Sequence, residues 1–216
     1  MEKYNMESSA LIYVVDDDVS VRESVADLLS TVGLEARLFA SAADMLNVFE
    51  TTSDKPAPMP NCLVLDVRMP GIGGLETQER LARLQIHIPI IFMTAHGDIA
   101  MTVKAMKSGA HNFLSKPFRD QDMLDAVRAA MAHGRTYHES ERVRREVSER
   151  YESLTARERK LLSMVTSGMM NKQIAAKLNL SEITIKVHRG QLMRKMKAKT
   201  LVELVKMDTR LSHSKG

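Results

Sequence analysis

The sequence predicts an α/β domain built on a five-stranded, doubly wound parallel sheet, followed by a separate all-α helix-turn-helix domain. Three observations predict this. Within the first ~135 residues, five short apolar runs are each followed by apolar residues at helical spacing. After residue 154 only helical spacing remains. The net charge of +4 also divides unevenly: residues 1–150 hold 17 Lys/Arg against 22 Asp/Glu, and residues 151–216 hold 14 against 5.

The first strand is predicted at residues 11–15, Leu11-Ile-Tyr-Val-Val15, which ends in Asp16-Asp-Asp18. Val21, Val25, Leu28, Leu29 and Val32 follow at helical spacing, and Gly33 closes the helix. A second strand is read at 36–39 and a second helix around Met45, Leu46 and Phe49. Residues 51–61, with three prolines, read as a loop. A third strand at 62–65 stops at the carboxylate of Asp66. A turn carrying Pro70, Gly71, Gly73 and Gly74 leads to a third helix at 75–84. The fourth strand, 88–93, has Pro89 near its start, where a missing N–H is tolerable. Ile99, Val103 and Met106 mark a fourth helix, ended by Gly109; a fifth strand at 111–115 and a fifth helix at 121–133 complete the pattern.

Near-continuous apolar strands belong to a parallel sheet covered on both faces. Such sheets bind ligands beyond the strand C-termini, at a topological switch point. In the order 2-1-3-4-5, an inference from the fold class, strands 1 and 3 are neighbours. That order brings Asp16 and Asp17 beside Asp66.

Residues 134–153 are highly charged, and nothing after Gly134 breaks a helix before about Ser153. They read as a helical linker, which a continuous fifth helix would also explain. Val143, Val147, Tyr151 and Leu154 form a thin apolar stripe, on a solvated helix or facing a partner. Thr155 then reads as an N-cap with Glu158 completing a capping box. Leu161, Leu162 and Val165 supply an apolar face, and Gly168 ends the helix. Asn171 caps a second helix through Leu178, and Asn179-Leu-Ser181 is a tight connection. Ser181 caps a third helix to about Met196, and Leu201, Leu204 and Val205 lie on a fourth. A helix, a short turn and a longer basic helix make a helix-turn-helix.

Hydrophobic residues make up 44% of the chain, ample for globular cores. No apolar run reaches the ~18 residues of a membrane span. The N-terminus lacks the basic start and apolar core of a signal peptide, so a cytoplasmic protein with no membrane partner is expected. The one cysteine, Cys62, excludes an intrachain disulfide framework and reads as a buried, inert thiol. The basic C-terminal segment points to a polyanion, most often nucleic acid, with a solvated basic surface as the alternative.

Three carboxylates that converge within a few ångströms repel one another and need a cation to stay ionised. Hard oxygen ligands of this kind suit Mg²⁺, which commonly shares its shell with a phosphate. The expected constellation is Asp16, Asp17 and Asp66 around Mg²⁺. Thr94 and Lys116 fall at the ends of strands 4 and 5, on the same edge of the sheet. This set suits phosphoryl transfer onto Asp66, with Lys116 and Mg²⁺ stabilising the phosphoryl oxygens and the Thr94 hydroxyl bonding one of them in the product. Taken singly, each residue has a plainer reading as a turn, a strand end or a solvated lysine; the joint pattern carries the weight.

Val15-Asp-Asp-Asp18, Leu65-Asp-Val-Arg-Met-Pro70, Met93-Thr-Ala95 and Ser115-Lys-Pro117 resemble the receiver domain of two-component response regulators, over about residues 10–132. The resemblance implies the flavodoxin-like fold, with Asp66 as phosphoacceptor for a sensor histidine kinase. It implies direct Mg²⁺ ligation by Asp17, the Asp66 carboxylate and the backbone carbonyl of Arg68, with Asp16 acting through water. The Lys116–Pro117 bond is often cis in that family. Phe113 stands where receivers carry a switch aromatic, although an ordinary core residue would read the same way. His96-Gly-Asp-Ile-Ala-Met101 and Val103-Lys-Ala-Met-Lys-Ser-Gly109 resemble the FixJ-type branch of the NarL/FixJ subgroup, whose usual dimer face is the fourth helix and fifth strand.

Leu154-Thr-Ala-Arg-Glu158, Gly168-Met-Met-Asn-Lys-Gln-Ile-Ala175 and Leu180-Ser-Glu-Ile-Thr-Ile-Lys-Val-His-Arg189 resemble the LuxR-type DNA-binding domain, over ~55 residues. The helix opened by Ser181 carries Lys186, Arg189, Arg194 and Lys195, and its N-terminal half suits the major groove of double-stranded DNA. Lys186 and Arg189 can donate to guanine or phosphate, and Val187 can touch a thymine methyl. His188 reads as a phosphate contact or as packing against neighbouring helices; Lys172 and Thr184 are candidate backbone contacts. Gly190 costs up to ~1 kcal/mol in a helix and removes a side chain that could read a base. Ile185, Leu192 and Met196 fit the inward face.

The expected organisation is a phosphoacceptor domain at 10–133, a linker at 134–153 and a DNA-binding domain at 154–210. The expected function is a transcriptional regulator that dimerises on phosphorylation and binds promoter DNA as an activator, with RNA polymerase as a further partner. An enzyme on the same sheet would need an added acid/base and a substrate cap, and no insertion provides one. No enzyme is therefore expected beyond phosphoryl acceptance and slow self-dephosphorylation. A constitutive DNA-binding regulator with a non-switching receiver is the other alternative.

Overall fold

The computed structural model describes residues 10–51, 61–95 and 99–212. Five strands, β1 (Leu11–Val15), β2 (Glu35–Phe39), β3 (Cys62–Asp66), β4 (Ile90–Thr94) and β5 (Asn112–Ser115), form one sheet in the order β2-β1-β3-β4-β5. Every pairing is parallel. Four helices alternate with them: α1 (Val19–Ser30), α2 (Ala42–Thr51), α3 (Gly74–Arg83) and α4 (Ile99–Lys107). A long helix, α5 (Asp120–Glu152), follows β5. Most of the predicted loop at 51–61, and His96, Gly97 and Asp98, lie outside the described residues.

Strand alternation divides the apolar side chains between two faces. Tyr13, Val15, Leu63, Leu65, Ile90 and Phe92 pack with Met45 and Phe49 of α2, Leu81 of α3 and Ala105 of α4. Ile12, Val14, Cys62, Val64, Ile91 and Met93 pack with Val25 and Leu29 of α1 and Met123, Val127 and Ala130 of α5. The strands are therefore apolar on both faces, as a sheet sandwiched between helices requires. Cys62 is fully buried, and burial pushes its thiol up to about 12.

Some local readings shift. Val32 lies past the end of α1 and is 37% exposed, because the chain turns at Gly33, which has φ +74°. β4 begins at Ile90; the Pro89 carbonyl accepts from Leu63 N–H at 2.9 Å. Among the described side chains of α4, Ala105 is buried and Met101 is half-buried against the same core, while Val103 and Met106 are exposed. Helix α5 runs through Gly134 without a break. A Cβ at Gly134 would make ordinary contacts, 3.4 Å from Pro89 Cγ and 3.5 Å from the Asn61 carbonyl.

The chain divides into two compact units, Met1–His138 and Glu139–Gly216, within α5. The second unit holds the end of α5, then α6 (Ala156–Thr166), α7 (Asn171–Leu178), α8 (Glu182–Met196) and α9 (Leu201–Ser212). Its core includes Val147, Leu154, Leu161, Leu162, Val165, Ile174, Ile185, Leu192, Met196 and Leu204, with Val143 and Tyr151 packed against them. The thin stripe on residues 143–154 is thus covered by this unit's own core. Among the described residues, no helix is long and apolar enough to cross a membrane.

Candidate functional site

The strand register sets the site. Val15 pairs with Leu65, Asp66 with Met93, and Thr94 with Ser115, so the chain emerges from β1, β3, β4 and β5 along one edge. Asp16 and Asp66 are buried there at 1% and 5% exposure, Thr94 is buried, and Asp17 is exposed. Oxygen atoms of Asp16, Asp17 and Asp66 all lie within 4.8 Å of one another. This close, hard-oxygen donor set fits Mg²⁺.

Lys116 binds across the acidic pair. Its Nζ donates to Asp66 Oδ1 at 2.8 Å and also to Asp16 Oδ2. Burial pulls the ammonium's pKa down, but its hydrogen bonds to Asp16 and Asp66 outweigh that, and the net direction is up. Asp66 goes the other way from an ordinary paired carboxylate: burial raises it, neighbouring Asp16 adds to the rise, and Lys116 offsets only part. The Arg68 amide donates to Asp66 Oδ2 at 3.0 Å, and the Asp18 amide to Asp16 Oδ1 at 3.0 Å. Asp18 itself caps α1, accepting from Ser20 N–H at 2.8 Å.

The turn after Asp66 explains its glycines. A Cβ at Gly74 would stand 2.5 Å from the Asp66 backbone oxygen and 3.0 Å from both Phe92 Cε1 and Val67 Cα. Only glycine lets α3 start this close to the end of β3. Phe113 is half-buried, its ring centroid 6.4 Å from that of Phe92. The Lys116–Pro117 bond is cis.

In the helical unit, Thr155 and Glu158 form the capping box of α6. Asn179 takes the left-handed conformation (φ 53°) that ends α7, and Ser181 accepts from Thr184 N–H to open α8. Asn171 is not the cap of α7: Met170 holds that position and its N–H donates to Gln173 Oε1 at 2.8 Å. Asn171 instead accepts from Arg189 Nη1 at 2.6 Å, which ties α7 to α8. Lys195 pairs with Glu158 at 2.8 Å, and His188 Nδ1 lies 3.3 Å from Gln191 Oε1. Lys172, Lys186, Val187 and Arg194 are exposed; Thr184 is half-buried beside the Ser181 hydroxyl at 2.8 Å. Ile183, which sequence reasoning passed over, is 78% exposed on the N-terminal half of α8. Its signal in the sequence is its position four residues before Val187 and two before the buried Ile185.

A doubly wound parallel sheet with an acidic strand edge, joined to a helix-turn-helix unit, defines a receiver-type regulator class. Residues 12–128 match the response regulator receiver domain, and residues 152–207 match the luxR family of bacterial regulatory proteins. The chain belongs to the two-component response regulators of the NarL/FixJ family, a regulator class and not an enzyme class. It is 50% identical over 207 residues to nodulation protein W of Bradyrhizobium diazoefficiens, covering 96% of this chain and 88% of that protein. It is 43% identical over 203 residues to the transcriptional regulatory protein FixJ of Azorhizobium caulinodans, covering 94% and 93%. Among solved structures, the response regulator StyR superposes with a TM-score of 0.80 at 41% identity, covering 94% of this chain and all of that one. Receiver domains generally use Mg²⁺ in the acidic pocket, and this domain pair implies a sensor kinase partner and DNA binding.

Proposed function

We propose that the chain is a cytoplasmic transcriptional regulator that a sensor histidine kinase phosphorylates on Asp66, and that phosphorylation drives dimerisation and binding to promoter DNA as an activator. In this reading residues 10–133 receive the signal, 134–153 connect, and 154–210 bind DNA. The observation that carries it is the convergence of Asp16, Asp17 and Asp66 on one strand edge, with Lys116 bonded to two of them. Asp17, Asp66 and the Arg68 carbonyl would hold Mg²⁺, with Asp16 acting through water. When bound, the ion supplies positive charge for the phosphoryl oxygens.

An Asp66 oxygen forms the new P–O bond as the donor's P–N bond breaks. Lys116 then turns from the carboxylate pair to the phosphoryl group, the Thr94 hydroxyl bonds one phosphoryl oxygen, and Phe113 moves inward. Those movements shift the receiver's population toward its active state. Two basic domains on a two-fold site then gain avidity, with Lys172, Thr184, Lys186, Val187, His188, Arg194 and Lys195 facing DNA, Arg189 tied to Asn171 behind them, and RNA polymerase recruited alongside. Acetyl phosphate with Mg²⁺ should convert the wild type from monomer to dimer in analytical ultracentrifugation and leave Asp66→Asn monomeric. Undiminished dimerisation of that variant sinks the proposal.

A further inference from the structure

Helix α8 has two opposed faces. Ile185, Leu192 and Met196 are fully buried, and Arg189, on the same side, is half-buried and bonded to Asn171 at 2.6 Å. The opposite side, at i, i+4 and i+7 spacing, carries Ile183, Val187 and Gly190, with Lys186 at its border. Ile183 is 78% exposed, the highest value among the exposed large hydrophobics of the described residues, and Val187 is 54% exposed. A Cβ at Gly190 would meet only Arg194 Nη1, at 3.9 Å, so the surface beyond these two side chains is open.

We infer that Ile183 and Val187 together form an apolar reader for thymine C5-methyl groups in the DNA major groove, and that Arg189 braces α8 instead of reading a base. The inference rests on the DNA-binding reading above. Charge selects the occupant: the segment 151–216 carries 14 Lys/Arg against 5 Asp/Glu, so the partner of this face is a polyanion. Branched alkyl side chains offer no hydrogen bond to a base edge. The apolar feature a base pair presents in the major groove is the thymine methyl. Gly190 removes bulk one turn further on, which lets the helix backbone come close to the groove. The Asn171 bond fixes the Arg189 guanidinium on the inward side, where it is directed at α7.

The test uses the full-length protein with phosphoramidate and Mg²⁺. Duplexes are selected from a random pool, and the selected duplex is rebuilt with deoxyuridine replacing one thymine at a time. At one or two positions per half-site, loss of the methyl should weaken wild-type binding about four-fold, the worth of one buried methyl. Ile183→Ala should bind the thymine and uracil duplexes alike at one such position, and Val187→Ala at the same or the adjacent one. Asn171→Ala should weaken binding to all duplexes without changing the uracil ratio. If a duplex is selected but wild type ignores the methyl, or both alanine variants keep full discrimination, the methyl reader is overturned while DNA binding stands. If no duplex is selected, the DNA-binding reading falls and this inference with it. Loss of self-association by DNA-free Ile183→Ala would instead make the face a contact between copies of the chain, and overturns the assignment.

Discussion

Asp66 illustrates how a single residue can be placed against the stability of its own fold. Its carboxylate is buried, and burial, with Asp16 nearby, raises its pKa above that of the unfolded chain despite the Lys116 bond. A raised carboxylate pKa means the ionised form is the one the fold disfavours. The destabilisation is present above the folded pKa and is relieved as pH falls through it. Asp66→Asn keeps the shape and removes the charge. The variant should unfold roughly 3 °C higher than wild type at pH 7. The difference should shrink as the pH falls through the Asp66 pKa in thermal melts. An equal or lower midpoint at pH 7 would show that the Lys116 pair outweighs burial. Lys116 has the complementary sign: its raised pKa contributes stability that is lost only as the pH rises through it, at alkaline pH. Asp16, Asp66, Thr94 and Lys116 were legible in the sequence because each ends an apolar strand. Gly74 was legible only as a turn residue, because its close approach to Asp66 is a property of two distant backbones. Ile183 was passed over because a single exposed isoleucine among helical residues looks like core until its neighbours are placed.

Among the elements, those whose ends carry chemical punctuation match their expected bounds well, and those without it do not. α6 starts at the Thr155 and Glu158 box, and α8 at Ser181, as the capping residues predict. α5 has no such stop near residue 133, and ion pairs between Arg142 and Glu139, Arg144 and Glu141, and Arg150 and Glu146 line the exposed surface that carries it onward. α4 misleads for another reason. Val103 and Met106 face out, while Met101 and the small Ala105, four residues apart, pack on the core, so the exposed apolar pair points to the wrong face of a short helix. Asn171 misleads likewise: a residue type favoured at caps spends its oxygen on Arg189 instead. The α6 box offers a quantitative test. Thr155 accepts from Glu158 N–H, and the Glu158 carboxylate accepts from Thr155 N–H at 2.9 Å and pairs with Lys195. Thr155→Ala should cost about 1 kcal/mol in the helical unit's unfolding free energy, measured by urea denaturation. The Lys195 hydrogen bond and then the Thr155 amide hold Glu158 below its ordinary pKa. That contribution is present above the unfolded pKa and is lost as pH falls through the folded value; the Thr155 hydroxyl, which donates to the Glu158 carboxylate at 3.0 Å, supplies part of it, so the alanine penalty should diminish in acid. A penalty unchanged at acid pH would separate the cap from the carboxylate's ionisation.

At the scale of the whole molecule, two hydrophobic systems share one helix but not one core. The core on one face of the sheet ends on α5 at Met131, and the helical unit's core takes up α5 again at Val143 and Val147. Between these points only Gly134 is buried; residues 132, 133, 135, 136, 139, 140 and 142 are exposed. Exposed helix held by i,i+3 and i,i+4 ion pairs contributes only tenths of a kcal/mol per pair. That is too little to make the two cores unfold as one. Differential scanning calorimetry of the full chain should therefore resolve two transitions. Mg²⁺ stabilises whatever state binds it in proportion to its occupancy. With its carboxylates on the strand edge, it should raise only the α/β transition, and Asp66→Asn should abolish that rise. Thr155→Ala should lower only the other transition. Each perturbation thus acts as a label for the core it belongs to, so the assignment of transitions does not depend on which melts first. A single transition with equal calorimetric and van't Hoff enthalpies, shifted alike by Mg²⁺ and by Thr155→Ala, would show instead that the helix transmits core stability across its exposed stretch.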